Sequence, residues 1–136
     1  MSEENRREQE KLFKSVLGEL GVAQRVDVER FANLVEMVEH TFSEFPQRPA
    51  FTSLGQTLTY ADLDKLSGHF ASWLQRHTQL QPGDRIAVQM PNLIQYPVVV
   101  LGAMRAGMVV VNTNPLYSAR ELEHQFNDAG VKALVV

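Results

Sequence analysis

Hydrophobic positions change period several times along the chain, and each change marks an element. In the first 25 residues Leu12, Phe13, Val16, Leu17 and Leu20 recur at three- and four-residue spacing, which gathers them on one face of an α-helix. Glu3 and Glu4 suit the positive end of that helix, and Gly21 suits a left-handed cap. A second helical stripe starts near Asp27, runs through Phe31, Leu34, Val35, Val38, Phe42 and Phe45, and closes at Pro46. Asn33 and Glu36 stand in capping-box register within it. From Pro49 the period drops to two. Ala50 to Leu54 and Thr57 to Tyr60, around a Gly55-Gln56 turn, predict a short hairpin. Thr59 and Asp62 then cap a third helix, which carries Leu63, Leu66, Phe70, Trp73 and Leu74 on a broad apolar face.

From Arg85 onward strands and helices alternate. Arg85 to Met90 is a short apolar strand stopped by Pro91-Asn92, and the next helix begins between Asn92 and Tyr96 because Pro97 is unstrained only in a first turn. Gly102, Ala103, Ala106 and Gly107 place small residues at successive turns, which predicts close packing of this helix on a sheet. Met108 to Val111 has the pattern of a parallel strand covered on both faces. Ser118 with Glu121 caps the last helix, Gly130 ends it, and Val131 to Val136 is a final apolar strand. The fold class expected is α/β. It is a partial doubly wound parallel sheet, strand-helix-strand-helix-strand from residue 85, preceded by two helices, a hairpin and a helix. Nothing in the sequence covers the last strand, so the sheet is expected to be incomplete.

Composition narrows the function. A chain of 136 residues with 44% hydrophobic residues is sized for one core. A net charge of -3 without any Lys/Arg block excludes a nucleic-acid partner. The lack of cysteine removes disulfides, thiolate metal sites and cysteine nucleophiles. The charged start MSEENRREQEKLFK is no signal peptide, and no apolar run reaches the roughly 18 residues of a spanning helix. A soluble, cytoplasmic chain is expected.

Motifs for chemistry are scarce. No GxGxxG, GxxxxGK[ST], HExxH or GxSxG occurs. His40, His69 and His77 lack a partner at metal-ligand spacing. His124 and Glu121 lie close enough in sequence for an acid/base pair, but a solvated helix face explains His124 and capping explains Glu121. Asn112, Thr113 and Asn114 follow the carboxyl end of a parallel strand, where open α/β sheets place ligands. They are the best candidates by position; the alternative is that Asn, Thr and Pro115 simply form the turn.

Three stretches carry a resemblance: Leu58-Thr59-Tyr60-Ala61-Asp62-Leu63, PGDRIAVQMPNLIQYPVVV at 82–100, and LGAMRAGMVVVNTNPLYSARELEHQFNDAG at 101–130. Through them, residues 26–136 resemble the N-terminal region of bacterial long-chain fatty-acyl-CoA ligases of the adenylate-forming superfamily. Residues 1–25 do not match that family and form a separate helical arm. The resemblance implies, for the full-length enzyme, ATP- and Mg-dependent activation of a fatty acid to an acyl-adenylate, then thioesterification to CoA. The family's phosphate loop ending in Lys, its aromatic-Glu motif, its ribose-binding Asp and its C-terminal-domain Lys have no counterpart in residues 1–136. The resemblance therefore assigns no catalytic, cofactor-binding or metal residue here and no cofactor bound by this chain alone.

The chain is thus expected to be an N-terminal ligase fragment that is inactive by itself. Its partner is the remainder of the ligase or another ligase chain, and fatty acid is met only in the full-length enzyme. The place expected is the cytoplasm, with peripheral association at the inner membrane as an option. The alternative is a standalone, non-enzymatic interaction module that retains the ligase scaffold.

Overall fold

A computed structural model describes residues 3–22, 27 and 29–136. The chain divides into two compact units, Met1–Ala32 and Asn33–Val136. The expected domain boundary after residue 25 lies outside the described residues.

In the first unit, α1 (Glu3–Glu19) is the expected amphipathic helix, and it buries none of its residues. It ends in a Schellman turn: Gly21 takes φ +65°, Gly21 N–H donates to Gly18 O, and Val22 N–H donates to Leu17 O at 2.9 Å.

The second unit opens with α2 (Leu34–Glu44), which starts later than the apolar stripe because the Asn33 side chain caps it, accepting from Glu36 N–H at 3.0 Å. Phe31 therefore precedes the helix. The hairpin pairs β1 (Pro49–Ser53) with β2 (Gln56–Thr59). Its two-residue turn is Leu54-Gly55, one position earlier than expected, with φ of +50° and +76°. A tight hairpin of this kind needs left-handed backbone at both central residues, and Leu54 accepts that strain at a site where its side chain is exposed. Thr59 and Asp62 form the reciprocal capping box of α3 (Tyr60–His77).

The inward face of α3 differs from the expected one. Leu63, Ser67, Ala71 and Leu74 are buried, whereas Trp73 is 52% exposed and Leu66 lies out as well. The reason is α4 (Gln95–Arg105), which packs on α3 through Gly102. A β-carbon at Gly102 would lie 2.7 Å from Ser67 O and 2.9 Å from Phe70 Cδ1. So Gly102 serves a helix–helix contact rather than the sheet, lying against the Ser67 backbone and the Phe70 side chain of α3. Ala103 and Ala106 do meet the sheet, joining Ala71, Leu74, Ile86 and Met108 in the core.

The parallel sheet contains β3 (Arg85–Val88), β4 (Val109–Asn112) and β5 (Val131–Val135) in the order β4-β3-β5. β3 stops at Val88, two residues before the expected end, and the strand order reverses about it. The chain leaves β3 through α4 to reach β4, then passes through α5 (Ala119–Ala129) to reach β5 on the other side. Two right-handed crossovers that travel in opposite directions put their helices on opposite faces. Ile86, Val110, Ala133 and Val135 accordingly face the core with α4, while Arg85 on the other face donates to Ala129 O at the end of α5. The doubly wound class is thereby realised.

Cover is unequal between the two faces. The α4 side is closed, but α5 buries none of its residues, and Val109 is 49% exposed. The expectation of a β4 covered on both faces fails, because one helix shields Ala87 at the centre and leaves the flanking strands open.

Candidate functional site

The carboxyl ends of β3 and β4 bring the positional candidates together. Thr113 is 5% exposed; its N–H donates to Val88 O at 3.1 Å and its hydroxyl to Val111 O at 3.3 Å. Both groups are used by the backbone. Asn114 Oδ1 accepts from Leu116 N–H at 3.0 Å and Asn114 O accepts from Tyr117 N–H, so this residue builds the turn. Gln89 Nε2 also reaches Asn114 O at 3.4 Å. Asn112 differs from these two. Its Oδ1 accepts the Tyr96 hydroxyl at 2.7 Å, and its backbone carbonyl accepts Gln125 Nε2 at 3.1 Å.

Tyr96 and Gln125 lie within the stretches that carry the resemblance, but nothing in the sequence marks them as partners of Asn112. The one signal for Gln125 is its place among Leu122, Phe126 and Ala129, the half-buried stripe of α5, where an amide must find a polar partner. Its Oε1 is buried without a hydrogen-bond partner among the described residues.

The His124–Glu121 pair lies on the wall of an open depression of about 290 Å³ with Tyr117, Gln125 and Asp128. Glu121 Oε2 accepts from the Ser118 hydroxyl at 2.6 Å and from Ser118 N–H at 2.8 Å. These bonds, the hydroxyl first, hold its carboxyl below the ordinary range, so it remains an ionised cap rather than a proton donor. His77 stacks on Trp73, and His40 Nδ1 lies 3.4 Å from Glu44. Among the described residues no group of three His, Asp or Glu side chains could hold a metal ion.

The amides of three turn glycines are engaged as well. Gly83 N–H donates to Gly107 O at 2.8 Å, Gly107 N–H to Met104 O at 2.9 Å, and Gly130 N–H to Asn127 O at 3.3 Å. All three amides are thus committed to backbone carbonyls, that of Gly83 to the turn after α4. The described residues likewise contain no helix long and apolar enough to cross a membrane.

Three carboxylates give the unit its pH dependence. Asp62 is lowered by the Thr59 hydroxyl and N–H, Asp84 by Gln81 N–H and then Lys132, and Glu121 by Ser118. A carboxyl depressed in the folded state contributes stability that is complete above its ordinary value and lost as pH falls through its folded value. Urea midpoints are therefore expected to hold near neutrality and to decline from about pH 4 downward. The double variant Thr59→Ala, Ser118→Ala is expected to flatten that decline.

An AMP-binding enzyme family matches residues 38–136, which takes in all the elements from within α2 to β5. The chain belongs to this family of AMP-binding enzymes. Over 115 residues it is 46% identical to the long-chain-fatty-acid–CoA ligase of Salmonella typhimurium, covering 85% of this chain and 20% of the ligase. It thus spans a fifth of that relative's length. Among solved structures, the N-terminal subdomain of Klebsiella oxytoca NpsA superposes with a TM-score of 0.72 at 24% identity, covering 75% of this chain and 26% of that one. This likeness concerns the fold. VinN, solved with 3-methylaspartate, superposes with a TM-score of 0.73 at 30% identity, covering 79% of this chain and 30% of VinN.

Proposed function

We propose that this member of the AMP-binding family is the N-terminal part of a long-chain fatty-acid–CoA ligase and serves as scaffold within it. The supporting observation is the 46% identity over 115 residues to such a ligase. Asn112, Thr113 and Asn114 join β4 to α5 in this reading, and no residue here is catalytic or binds a cofactor. ATP, Mg, CoA and the fatty acid are engaged by residues of the complete enzyme outside these 136. The protein works in fatty-acid metabolism, in the cytoplasm or at the inner face of its membrane.

Two assays test this. The purified 136-residue chain should show no fatty-acid-dependent exchange of pyrophosphate with ATP, and reproducible turnover would sink the reading. Residues 26–136 substituted for the matched segment of the Salmonella typhimurium ligase should yield a chimera that makes fatty-acyl-CoA.

The exposed stripe of α1, with Leu12, Phe13 and Leu20, favours a second reading, in which the arm at 1–25 grips another ligase chain or the membrane surface. If deleting residues 1–25 leaves association with either unchanged, the arm is not the interface.

A further inference from the structure

An apolar slot runs between α2, β1, α3 and α4. Its volume of about 380 Å³ falls within the range of small-molecule sites. Val38 of α2, Phe51 of β1, Leu63 of α3 and Val100 of α4 stand on its walls. Phe42 of α2 is 4% exposed and lies against the Tyr60 ring, with centroids 6.4 Å apart, whereas Leu34 at the start of the helix is 47% exposed. The wall that α2 supplies thus passes from buried at Phe42 to solvent at Leu34.

Shape and polarity together define what fits. Leu34, Val38 and Phe42 follow one another at four-residue spacing, so they form a single apolar line about 12 Å long on α2. Such a line suits a linear chain better than a ring system. The Thr41 hydroxyl donates to Met37 O at 2.9 Å and the Tyr96 hydroxyl to Asn112 Oδ1 at 2.7 Å, so both of these wall groups are spent within the protein. A ligand gains apolar contact here and keeps its polar end in water, beyond Leu34.

We propose that this slot binds one linear acyl chain of medium length, recognised through its methylenes. The choice of an acyl chain rests on the ligase reading above, and this binding adds to the reaction of that enzyme, whose fatty acid is engaged by residues outside these 136. A bound chain bridges α2, β1, α3 and α4, so it should also raise the urea midpoint of the 33–136 unit.

The test titrates the 136-residue chain with octanoate and dodecanoate, each below its micelle-forming concentration, by calorimetry. Expected are one site per chain, at least tenfold tighter binding of dodecanoate, and nuclear Overhauser contacts from its methylenes to the Val38 and Val100 methyls. Val100→Trp and Val38→Phe fill the slot from two different helices. Either variant, with native circular dichroism, should bind dodecanoate at least tenfold more weakly. Tyr60→Phe, and Phe13→Asp on α1, should bind within twofold of the parent chain. Unaltered binding by the filling variants, or contacts to other methyls, overturns the site. Tenfold loss with Phe13→Asp overturns it in favour of α1, and tenfold loss with Tyr60→Phe overturns recognition through the methylenes. Displacement of dodecanoate by the Salmonella typhimurium ligase lacking its matched segment overturns the choice of occupant in favour of a protein segment. Failure to bind dodecanoate while the chimera is active overturns the slot alone, whereas an inactive chimera overturns the ligase reading beneath it.

Discussion

Gly102→Ala is expected to lower the unfolding free energy of the 33–136 unit by about 2–3 kcal/mol, measured by urea denaturation followed by circular dichroism. The new methyl would stand 2.7 Å from Ser67 O, inside any allowed contact. Because the obstacle is backbone of α3, trimming a side chain offers no relief. Phe70→Leu in the same chain should therefore fail to restore stability, although Phe70 Cδ1 is the next atom met at 2.9 Å. To make room α4 must move from α3, and Ala103 and Ala106 would then lose contact with Ile86 and Met108. A loss below about 0.5 kcal/mol would show that the helices are not locked at this crossing.

Arg105→Ala is expected to cost about 2 kcal/mol in the same assay, more than an exposed ion pair is worth. Arg105 joins three helices. Its Nε lies 3.1 Å from Glu39 of α2, and Nη1 lies 2.9 Å from Asp64 Oδ1 and donates to Asp64 O and Ser67 Oγ of α3. Its guanidinium also sits 5.8 Å from the centre of the Phe42 ring. Removing it strips a donor from Ser67, a fully buried residue, and leaves two carboxylates without their shared cation. Arg105→Lys should recover less than half of the loss, since an ammonium cannot spread its donors as the planar guanidinium does. Full recovery by lysine would show that charge alone matters.

Elements announced by local chemistry were legible in the sequence. Thr59 with Asp62, Ser118 with Glu121, Asn33, Gly107 and Gly130 each act within one turn of chain, so their spacing sufficed. What escaped depends on partners distant in sequence. Trp73 looks like a core residue until α4 packs on α3 with Gly102 against Ser67 and Phe70, which leaves Trp73 half exposed. The Arg105 node spans α2, α3 and α4, and nothing near Arg105 in the chain announces it. At the candidate site, Asn112 to Asn114 were visible as a loop at a strand end, but the Tyr96 and Gln125 bonds that hold Asn112 arise from helices that only the fold brings there.

The central position of β3 also sets an order of assembly. Pairing Arg85 with Val109 closes a shorter loop than pairing Arg85 with Val131, so its entropic cost is lower and it can form earlier during synthesis. β5 must wait for α5 and then reach across to the far side of a strand already engaged. Until it arrives, that side of β3 is bare backbone at Ala87 and Gln89, a template for pairing with a neighbouring nascent chain. In this topology the interval between completing β4 and docking β5 is the period in which the chain is most prone to aggregate.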